Sequence, residues 1–406
     1  MSLTEPNRII RIAAKGDGVL PDGTHVSGAA PGDIILPDGA IAPGPHHAEP
    51  PCRHFGRCGG CDLQHCDDSA LAEFVRSRVV NAAEGQQIAA EEVLPTHLSP
   101  QKSRRRATLH AASSKKGAII GFRERGSHKI VDMRECHVLC PPLFACVDAL
   151  RSILNQREER FATDIELTLV DQGIDCAIKN LDIDGLAQTE AILDFARGHK
   201  LARLTLDVGF GPEAVWEPEP VTVTLAGTPV AFPSGSFLQA TQDGEDTLVR
   251  DAQDYLERSE KTADLFSGLG TFAFALAKGR QIVAVEAARE PSLACRGAAN
   301  AFRRPIDAVH RDLFRNPLQL DELKAFDAVL LDPPRAGARN QIDILARSSV
   351  ERIAYISCNP SSWARDARRL VDGGYALISL RPIGQFRWST HVELSSLFVR
   401  AAMATD

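Results

Sequence analysis

A cysteine stands at the end of an apolar run near the C-terminus. Residues 354–357 (Ala-Tyr-Ile-Ser) are mainly apolar, as in a buried strand, and Cys358 follows them directly, ahead of Asn359-Pro360. In open α/β sheets, ligands bind at the carboxyl ends of the strands, so a thiol at this position is placed for chemistry. The alternative is a buried cysteine that acts as a small hydrophobe.

Two carboxylates follow the same pattern. The apolar run 329–331 ends in Asp332, before Pro333-Pro334-Arg335, and Thr390-His391-Val392 leads into Glu393 at the start of a last predicted strand. If the sheet is parallel and doubly wound, Asp332 and Cys358 lie on one edge, and Glu393 joins them if the last strand is antiparallel. The alternatives are a turn former for Asp332 and a solvent-facing strand-end acid for Glu393.

A glycine turn and a further acid predict a cofactor site. Gly268 and Gly270 lie between a predicted strand and helix, but Ala273 breaks the dinucleotide pattern G-x-G-x-x-G. Glu286 ends the next strand, at a position where a carboxylate can accept both hydroxyls of a ribose, although it could instead cap a helix. This combination fits nicotinamide cofactors and S-adenosylmethionine alike.

The later acids and the cysteine separate these two cofactors. Asp312, Asp332 and Cys358 follow successive predicted strands. A cysteine nucleophile has no use in hydride transfer, whereas it suits methyl transfer to a poor carbon nucleophile. The sequence therefore favours S-adenosylmethionine.

A second group of cysteines predicts a metal centre. Cys52, Cys58 and Cys61 are close in sequence, and two glycines separate the last pair. A cubane iron–sulfur cluster needs four thiolates, so either Cys136 or Cys140 is expected to supply the fourth. Zinc accepts the same thiolates, and unligated cysteines are the remaining alternative. The spacing differs from Cys-x3-Cys-x2-Cys, so we expect a structural centre and not radical chemistry.

Composition predicts a cytoplasmic protein of two or three domains. The chain has 406 residues, 44% of them hydrophobic, and no apolar run approaches the ~20 residues of a membrane span. Its N-terminus lacks the basic and apolar segments of a signal peptide. In the cytoplasm, the ten cysteines are expected to be ligands, catalytic or buried, and not disulfide-bonded.

Patterning along the chain predicts four regions. Asp-Gly and Pro-Gly turns in residues 1–50 indicate a small OB-like β module able to bind RNA. Residues 51–98 hold the cysteine group and a linker helix, 99–231 form a mixed α+β domain, and 232–406 form the catalytic domain. Within the third region, 211–220 is rich in Pro and Glu and is expected to be a connection. The net charge is −7, but three basic clusters in one segment make an RNA-binding surface plausible: Lys102 with Arg104–Arg106, Lys115 with Lys116, and Arg123 and Arg125 with His128 and Lys129.

Taken together, the motifs resemble the RNA uracil-5 methyltransferases that carry an iron–sulfur cluster, of the 23S ribosomal RNA type. The resemblance covers nearly the whole chain. Two departures are the short N-terminal module and Gly384, which stands at a position where the family usually has an acid. The matching segments are 52–61, 121–123, 126–128, 130–132, 136, 236–239, 264–271, 332–335, 357–360 and 391–393.

The resemblance implies an α/β fold: a Rossmann-like S-adenosylmethionine-dependent methyltransferase domain with a mixed α+β central domain and an OB-like module. It implies an RNA substrate, with no membrane and no obligate protein partner. It makes Cys358 the nucleophile, Glu393 the base, and Cys136 the fourth ligand of a [4Fe-4S] cluster with Cys52, Cys58 and Cys61, which leaves Cys140 without a role. The cofactor-binding residues that it implies are Gln239, Phe266, Thr271, Glu286, Asp312 and Asp332.

The chemistry explains these residue types. Carbon 5 of uracil becomes nucleophilic only after a thiolate adds to carbon 6, and a base must later remove the proton from carbon 5. The uridine must be single-stranded or flipped out of its stack. The rival interpretations are a transfer-RNA uracil-5 methyltransferase and a non-catalytic RNA-binding protein with a zinc module.

Overall fold

The computed structural model describes residues 6–157, 159–183 and 185–401. The chain divides into two compact units, each assembled from separate stretches of sequence. Among the described residues, no helix combines the length and the apolar character that a membrane crossing would need. The first unit takes residues up to 75, 98–219 and 385–390, and the second takes 76–97, 220–384 and 391 onward.

The chain begins with very short antiparallel strands joined by tight turns. Asp22 and Asp38, each followed by glycine, accept backbone N–H bonds from Thr24 and Ala40 in turns between these strands. The first three strands form one sheet and the last two form a hairpin, so the hairpins that the Asp-Gly pairs predict are present. The strands are β1 (Arg11–Ile12), β2 (Gly18–Val19), β3 (His25–Val26), β4 (Ile34–Ile35) and β5 (Ile41–Ala42).

The predicted linker helix is α1 (Asp68–Glu84). Leu71, Phe74, Val75 and Val79 recur at helical spacing, and all four are buried. Two short strands follow, β6 (Glu92–Val93) and β7 (His97–Leu98).

A six-stranded sheet with two helices forms most of the first unit. Leu109 and Ile165 from the sheet share one buried core with Leu143 and Leu150 of the first helix and Phe195 of the second. The strand order is β13-β12-β11-β10-β8-β9. The elements are β8 (Arg106–Ser114), β9 (Gly117–Gly121), α2 (Pro141–Leu154), β10 (Ala162–Val170), β11 (Gly173–Lys179), α3 (Gly185–Gly198), β12 (Leu201–Asp207) and β13 (Glu213–Trp216).

The expectation of a plain connection at 211–220 is wrong, because β13 lies within it. This strand pairs antiparallel with β12, and Trp216 aligns with Leu204. The Trp216 indole also donates a hydrogen bond to the Leu201 carbonyl, 3.0 Å away. Pairing with an existing edge strand thus outweighs the turn-forming composition of the segment.

The second unit alternates strands and helices, as the sequence predicts. A hairpin and a helix precede the first parallel strand. The elements are β14 (Thr222–Leu225), β15 (Thr228–Ala231), α4 (Gln242–Tyr255), β16 (Lys261–Leu265), α5 (Thr271–Leu276), β17 (Gln281–Glu286), α6 (Arg289–Ala301), β18 (Ile306–His310), α7 (Leu320–Leu323), β19 (Ala328–Leu331), α8 (Arg339–Leu345), β20 (Arg352–Ser357), α9 (Pro360–Asp372), β21 (Tyr375–Gly384) and β22 (Glu393–Arg400).

The central sheet of this unit runs in the order β18-β17-β16-β19-β20-β22-β21-β6. Strands β16 to β20 are parallel, while β22 is antiparallel to both β20 and β21. The order reverses between β16 and β19, which is where open α/β sheets bind ligands. The predicted Rossmann-like α/β architecture is confirmed.

Candidate active site

Three neighbouring strands, β16, β19 and β20, end beside the point where the strand order reverses, and predicted site residues follow each of them. In the register, Leu265 of β16 aligns with Leu331 of β19, so Phe266 and Asp332 leave the sheet side by side. On the next strand, Tyr355 aligns with Leu331, and β20 continues to Ser357 before Cys358. The carboxyl ends of these strands therefore carry an aromatic ring, a carboxylate and a thiol on one edge.

The antiparallel last strand brings Glu393 to the same edge. Ser357 aligns with Leu394, so the first residue after β20, Cys358, and the first residue of β22, Glu393, both adjoin the last aligned pair. Facing residues of antiparallel strands have Cα atoms about 4.5–5.5 Å apart. Glu393 is buried. The last strand is therefore antiparallel to β20, which is the condition under which the sequence predicts that Glu393 lies beside Cys358.

The turn after Cys358 is tied to the turn after Asp332. Asn359 is the N-cap of α9, and its side-chain amide donates a 2.9 Å hydrogen bond to the Arg335 carbonyl. The Ser362 hydroxyl donates to the same carbonyl over 3.0 Å. These two bonds fix the loops that carry the thiol and the carboxylate relative to each other.

Charge and burial keep the thiol protonated in the ligand-free protein. Burial, followed by the negative charges of Glu393 and Asp332, raises the pKa of Cys358 to about 11, and Arg335 opposes this rise only in part. Burial also raises the pKa of Asp332 to about 7. The Gln239 side-chain amide donates to the Asp332 carboxylate over 3.3 Å. A nucleophilic thiolate therefore requires loss of the proton during the reaction.

The glycine turn is braced by Glu286. One carboxylate oxygen of Glu286 accepts the Gly268 N–H over 2.8 Å, and the other accepts the Ala288 N–H over 2.6 Å. Gly270 has a φ of +93° and caps α5, so Thr271 is the first residue of that helix. A Cβ on Gly268 would meet no atom within 4 Å, so this turn has open space in front of it.

Asp312 organises the loop after β18. Its carboxylate accepts the backbone N–H of Phe314 over 2.9 Å. The Phe314 ring lies 5.4 Å, centroid to centroid, from the ring of Phe266, which adopts a φ of +63°. The structure thus places the loop of Asp312 next to Phe266 at the ends of the parallel strands.

Sequence reasoning gave no role to Asp264, inside β16. It is fully buried, and desolvation with the nearby negative charge of Asp332 raises its pKa well above the usual range of a carboxyl. The signal was an acid within the otherwise apolar end of a predicted strand.

The first unit gathers four of the cysteines around one cavity. Cys52, Cys58, Cys61 and Cys136 line it together. Cys140 does not line it; this buried residue is the N-cap of α2. Of the two candidates for the fourth position, Cys136 thus lines the cavity and Cys140 does not.

Local hydrogen bonds hold the segment of Cys136 against that of Cys52. The Arg53 N–H donates to the Glu135 carboxylate over 2.5 Å, and the Arg134 N–H donates to the His54 ring over 3.0 Å. Gln64 accepts the Cys52 N–H over 3.3 Å. These contacts bring residues about eighty positions apart in sequence to one place.

The cavity is buried and closely lined by these thiols. Burial raises the pKa of Cys61 to about 12, with smaller contributions from the neighbouring thiols. A Cβ on Gly60 would lie 3.5 Å from the Cys58 sulfur and 3.2 Å from the Phe122 ring, so glycine keeps this wall close to the sulfurs. Among the residues described, no three His, Cys, Asp or Glu side chains converge as they would around a single metal ion.

Beside this cavity, Arg104 lies between two aromatic rings. Its guanidinium carbon is 5.6 Å from the centroid of Phe122 and 5.3 Å from that of Phe386. The Trp388 carbonyl accepts the N–H groups of Asp62 and Leu63, directly after Cys61, over 2.7 and 2.9 Å. Residues 385–390 are thus fixed to the cysteine segment.

Comparisons with known proteins show which family the chain belongs to. A family model described as tRNA (Uracil-5-)-methyltransferase matches residues 230–401. An uncharacterized RNA methyltransferase of Zymomonas mobilis is 45% identical over 97% of this chain and 99% of its own. The 23S rRNA (uracil(1939)-C(5))-methyltransferase RlmD of Pectobacterium atrosepticum is 30% identical over 88% of this chain and 82% of its own.

A solved structure has the same fold. The Pyrococcus abyssi tRNA (uracil-54, C5)-methyltransferase, in complex with S-adenosyl-L-homocysteine, aligns with a TM-score of 0.75 and 24% identity, over 97% of this chain and 99% of that one. The sequence relatives and the family model carry the assignment, and this structure supports the fold. The chain therefore belongs to the RNA uracil-5 methyltransferase family.

Proposed function

We propose that this enzyme methylates carbon 5 of a uridine in 23S ribosomal RNA, with Cys358 as nucleophile and Glu393 as base. The observation that carries the proposal is the register of β20 and β22, whose last pair, Ser357 and Leu394, adjoins both residues, together with the electrostatic interaction of Glu393 with the Cys358 sulfur. The 30%-identical relative that acts on 23S ribosomal RNA supports this substrate. Transfer RNA is the second candidate, favoured by the name of the fold neighbour from Pyrococcus abyssi.

S-adenosylmethionine, when bound, supplies an electrophilic methyl group. The residues that would hold it line the ends of the parallel strands near the switch point, around the open space before Gly268. They are Gln239, Phe266, Thr271, Glu286, Asp312 and Asp332. Two of the contacts that order these residues are hydrogen bonds within the protein: Gln239 donates to Asp332, and Glu286 accepts from the glycine turn.

The residues of this chain account for the rest of the reaction. The Cys358 sulfur bonds to carbon 6 of uracil as the thiol gives up its proton, and the electron pair of the 5,6 double bond becomes available at carbon 5. Once carbon 5 carries the methyl group, Glu393 takes its remaining proton. The double bond then re-forms and the sulfur–carbon bond breaks, which returns the thiolate.

The high pKa of Cys358 has a place in this scheme. A thiol with a pKa of about 11 stays protonated until the site is filled, so it resists oxidation and side reactions in the free enzyme. Glu393 and Asp332 both lie near enough to interact electrostatically with the sulfur. In this scheme Asp332 accepts the thiol proton, so that Glu393 stays ionised for the proton of carbon 5, and Asp332 later returns its proton to the released thiolate.

We further propose that Cys52, Cys58, Cys61 and Cys136 hold a [4Fe-4S] cluster with a structural role. Four thiols around one cavity match the ligand number of such a cluster. A single zinc ion, about 2.3 Å from each of four sulfurs, is the alternative occupant of such a cysteine set.

The catalytic proposal is tested with two substitutions. Cys358→Ala is expected to abolish methyl transfer from labelled S-adenosylmethionine to a 23S ribosomal RNA transcript. Glu393→Gln is expected to trap a covalent enzyme–RNA adduct, visible as a shifted band on a denaturing gel, because carbon 5 keeps its proton. Glu351→Gln, an exposed acid before the other end of β20, is the control. Full activity of the Cys358→Ala enzyme would refute the mechanism, and transfer to tRNA alone would move the substrate to the second candidate.

A further inference from the structure

A buried polar network lies behind the strand that carries Glu393. Asp251 of α4 is only 2% exposed, and its two carboxylate oxygens share the Nε–H of Arg381 on β21, at 3.0 and 2.8 Å. The hydroxyl of Ser395 on β22 donates to the same carboxylate over 2.5 Å. The Tyr255 hydroxyl lies 3.4 Å from the Ser395 hydroxyl and 3.3 Å from that of Ser379. All of these residues belong to the second unit.

Strand alternation places Glu393 on the same face as this network. Side chains of a strand alternate between its two faces, so Ser395 shares a face with Glu393, two positions earlier. Leu394 and Ser396 point to the other face. There the Trp363 indole N–H of α9 donates a 2.9 Å hydrogen bond to the Ser396 hydroxyl. Two adjacent serines, both 0% exposed, thus anchor the two faces of one strand.

Helix α4 connects the two sides of the reaction centre. Gln239, which donates to Asp332, lies three residues before α4, and Thr241 caps this helix by accepting the Gly244 N–H over 3.2 Å. Asp251 lies on the same helix. One rigid element thereby joins the segment that contacts Asp332 to the strand that presents Glu393.

The energetic cost of the network points to a positioning role. A buried ion pair repays its desolvation only in part, so an apolar set of similar volume would hold these strands at least as firmly. Directional hydrogen bonds to a fixed carboxylate define the position of a backbone segment to within a fraction of an ångström. Apolar packing defines such a position less accurately. General bases need this accuracy, since a displacement of about 1 Å can cost roughly a hundredfold in rate.

We propose that Asp251 and Ser395 are positioning residues that hold β22 so that Glu393 reaches the proton on carbon 5. The proposal rests on the function inferred above. Loss of the Ser395–Asp251 bond should therefore slow proton removal, the step after methyl transfer, and leave formation of the adduct and binding of RNA largely intact.

The adjacent serines supply a matched pair of variants. Ser395→Ala is expected to accumulate the covalent enzyme–RNA adduct during turnover and to lower kcat by at least about tenfold. KM for RNA should fall in parallel, so that kcat/KM stays nearly unchanged, because the slowed step follows methyl transfer. Ser396→Ala removes an equally buried hydroxyl from the other face, so it should cost stability without accumulating the adduct. Adduct is quantified on denaturing gels, and stability by urea unfolding of each variant. Asp251→Asn, which removes the accepting charge, should behave as Ser395→Ala does and show a stronger loss of stability.

The outcomes are separable. Adduct levels and kcat like those of the wild type in Ser395→Ala would overturn the positioning role, as would equal adduct accumulation in Ser396→Ala, since that would indicate general loosening of the strand. Failure of Glu393→Gln to trap any adduct would instead refute the proposed function. A trapped adduct in Glu393→Gln together with wild-type behaviour of Ser395→Ala refutes the positioning role alone.

Discussion

Gly270, in the turn before α5, gives the sharpest test of how the strand ends are built. Its φ of +93° lies in the left-handed region, and a Cβ there would lie 2.8 Å from the buried sulfur of Cys295 and 3.1 Å from the ring of Phe274. Gly268, two residues earlier, also has a positive φ, of +55°, but a Cβ there would meet nothing within 4 Å. The two glycines therefore share the conformational requirement and differ in the steric one.

The expected losses follow from these contacts. A non-glycine residue in the left-handed region costs roughly 1–2 kcal/mol. Overpacking of a filled interior adds roughly 1–3 kcal/mol. Gly270→Ala should thus lower the free energy of unfolding by about 2–5 kcal/mol, the sum of both effects. Gly268→Ala should lose only about 1–2 kcal/mol, from the conformational effect alone.

Urea unfolding of the two variants measures this difference, and a second substitution tests its cause. If the Cys295 sulfur is the obstacle, Cys295→Ala should restore part of the stability that Gly270→Ala loses. Residues in contact show coupling energies of about 0.5–3 kcal/mol in such double-mutant cycles. Equal losses in Gly268→Ala and Gly270→Ala, or additive effects of Gly270→Ala and Cys295→Ala, would refute the steric argument.

Three further predictions concern the thiols and a buried ion pair. In the ligand-free enzyme, iodoacetamide should alkylate Cys358 slowly at pH 7, and the rate should rise about tenfold per pH unit through pH 9.5. The reason is that only the thiolate reacts and the pKa of Cys358 is about 11. Mass spectrometry of the Cys358 peptide measures this rate, and a plateau near pH 8.5 would contradict this pKa. Asp175→Asn should lower the free energy of unfolding by about 3 kcal/mol, the lower end of the range for a broken buried ion pair. The buried Arg203 guanidinium donates to both Asp175 oxygens, at 2.8 and 2.9 Å, and would keep the partly exposed Glu217, 3.8 Å away, as a counter-charge. A loss below about 1 kcal/mol in urea unfolding would contradict this prediction. Cys136→Ser should remove bound iron and brown absorbance from anaerobically purified protein, whereas Cys140→Ser should retain both, and the reverse pattern would transfer the fourth ligand position to Cys140.

Site residues could be predicted from the sequence where a chemically reactive side chain directly follows a recognisable strand pattern. Asp332 and Cys358 each follow an apolar run, so a strand and its polar end are read from a few consecutive residues. Glu393 required one further condition, an antiparallel last strand, which the structure meets. The ligand roles of these residues and the cluster remain proposals.

Other features depend on pairing between distant segments and leave no local signature. The strand at Glu213–Trp216 exists because β12 offers it an edge. The bond between Asp251 and Ser395 joins residues 144 positions apart, and neither residue stands out in its own segment. Likewise, the position of Cys136 at the cavity, away from which Cys140 lies, depends on hydrogen bonds from the segment of Cys52, which spacing alone does not reveal.

The interleaved assembly of the two units has a consequence for how such enzymes can diversify. The chain passes from one unit to the other at 75–76, 97–98, 219–220, 384–385 and 390–391. A single crossover in the gene therefore cannot exchange one unit between two homologues. A chimera joined near residue 220 would pair β6 from one parent with β21 from the other. Recombination that preserves folding would need several coordinated junctions, so inheritance of the two units together is the expected evolutionary pattern.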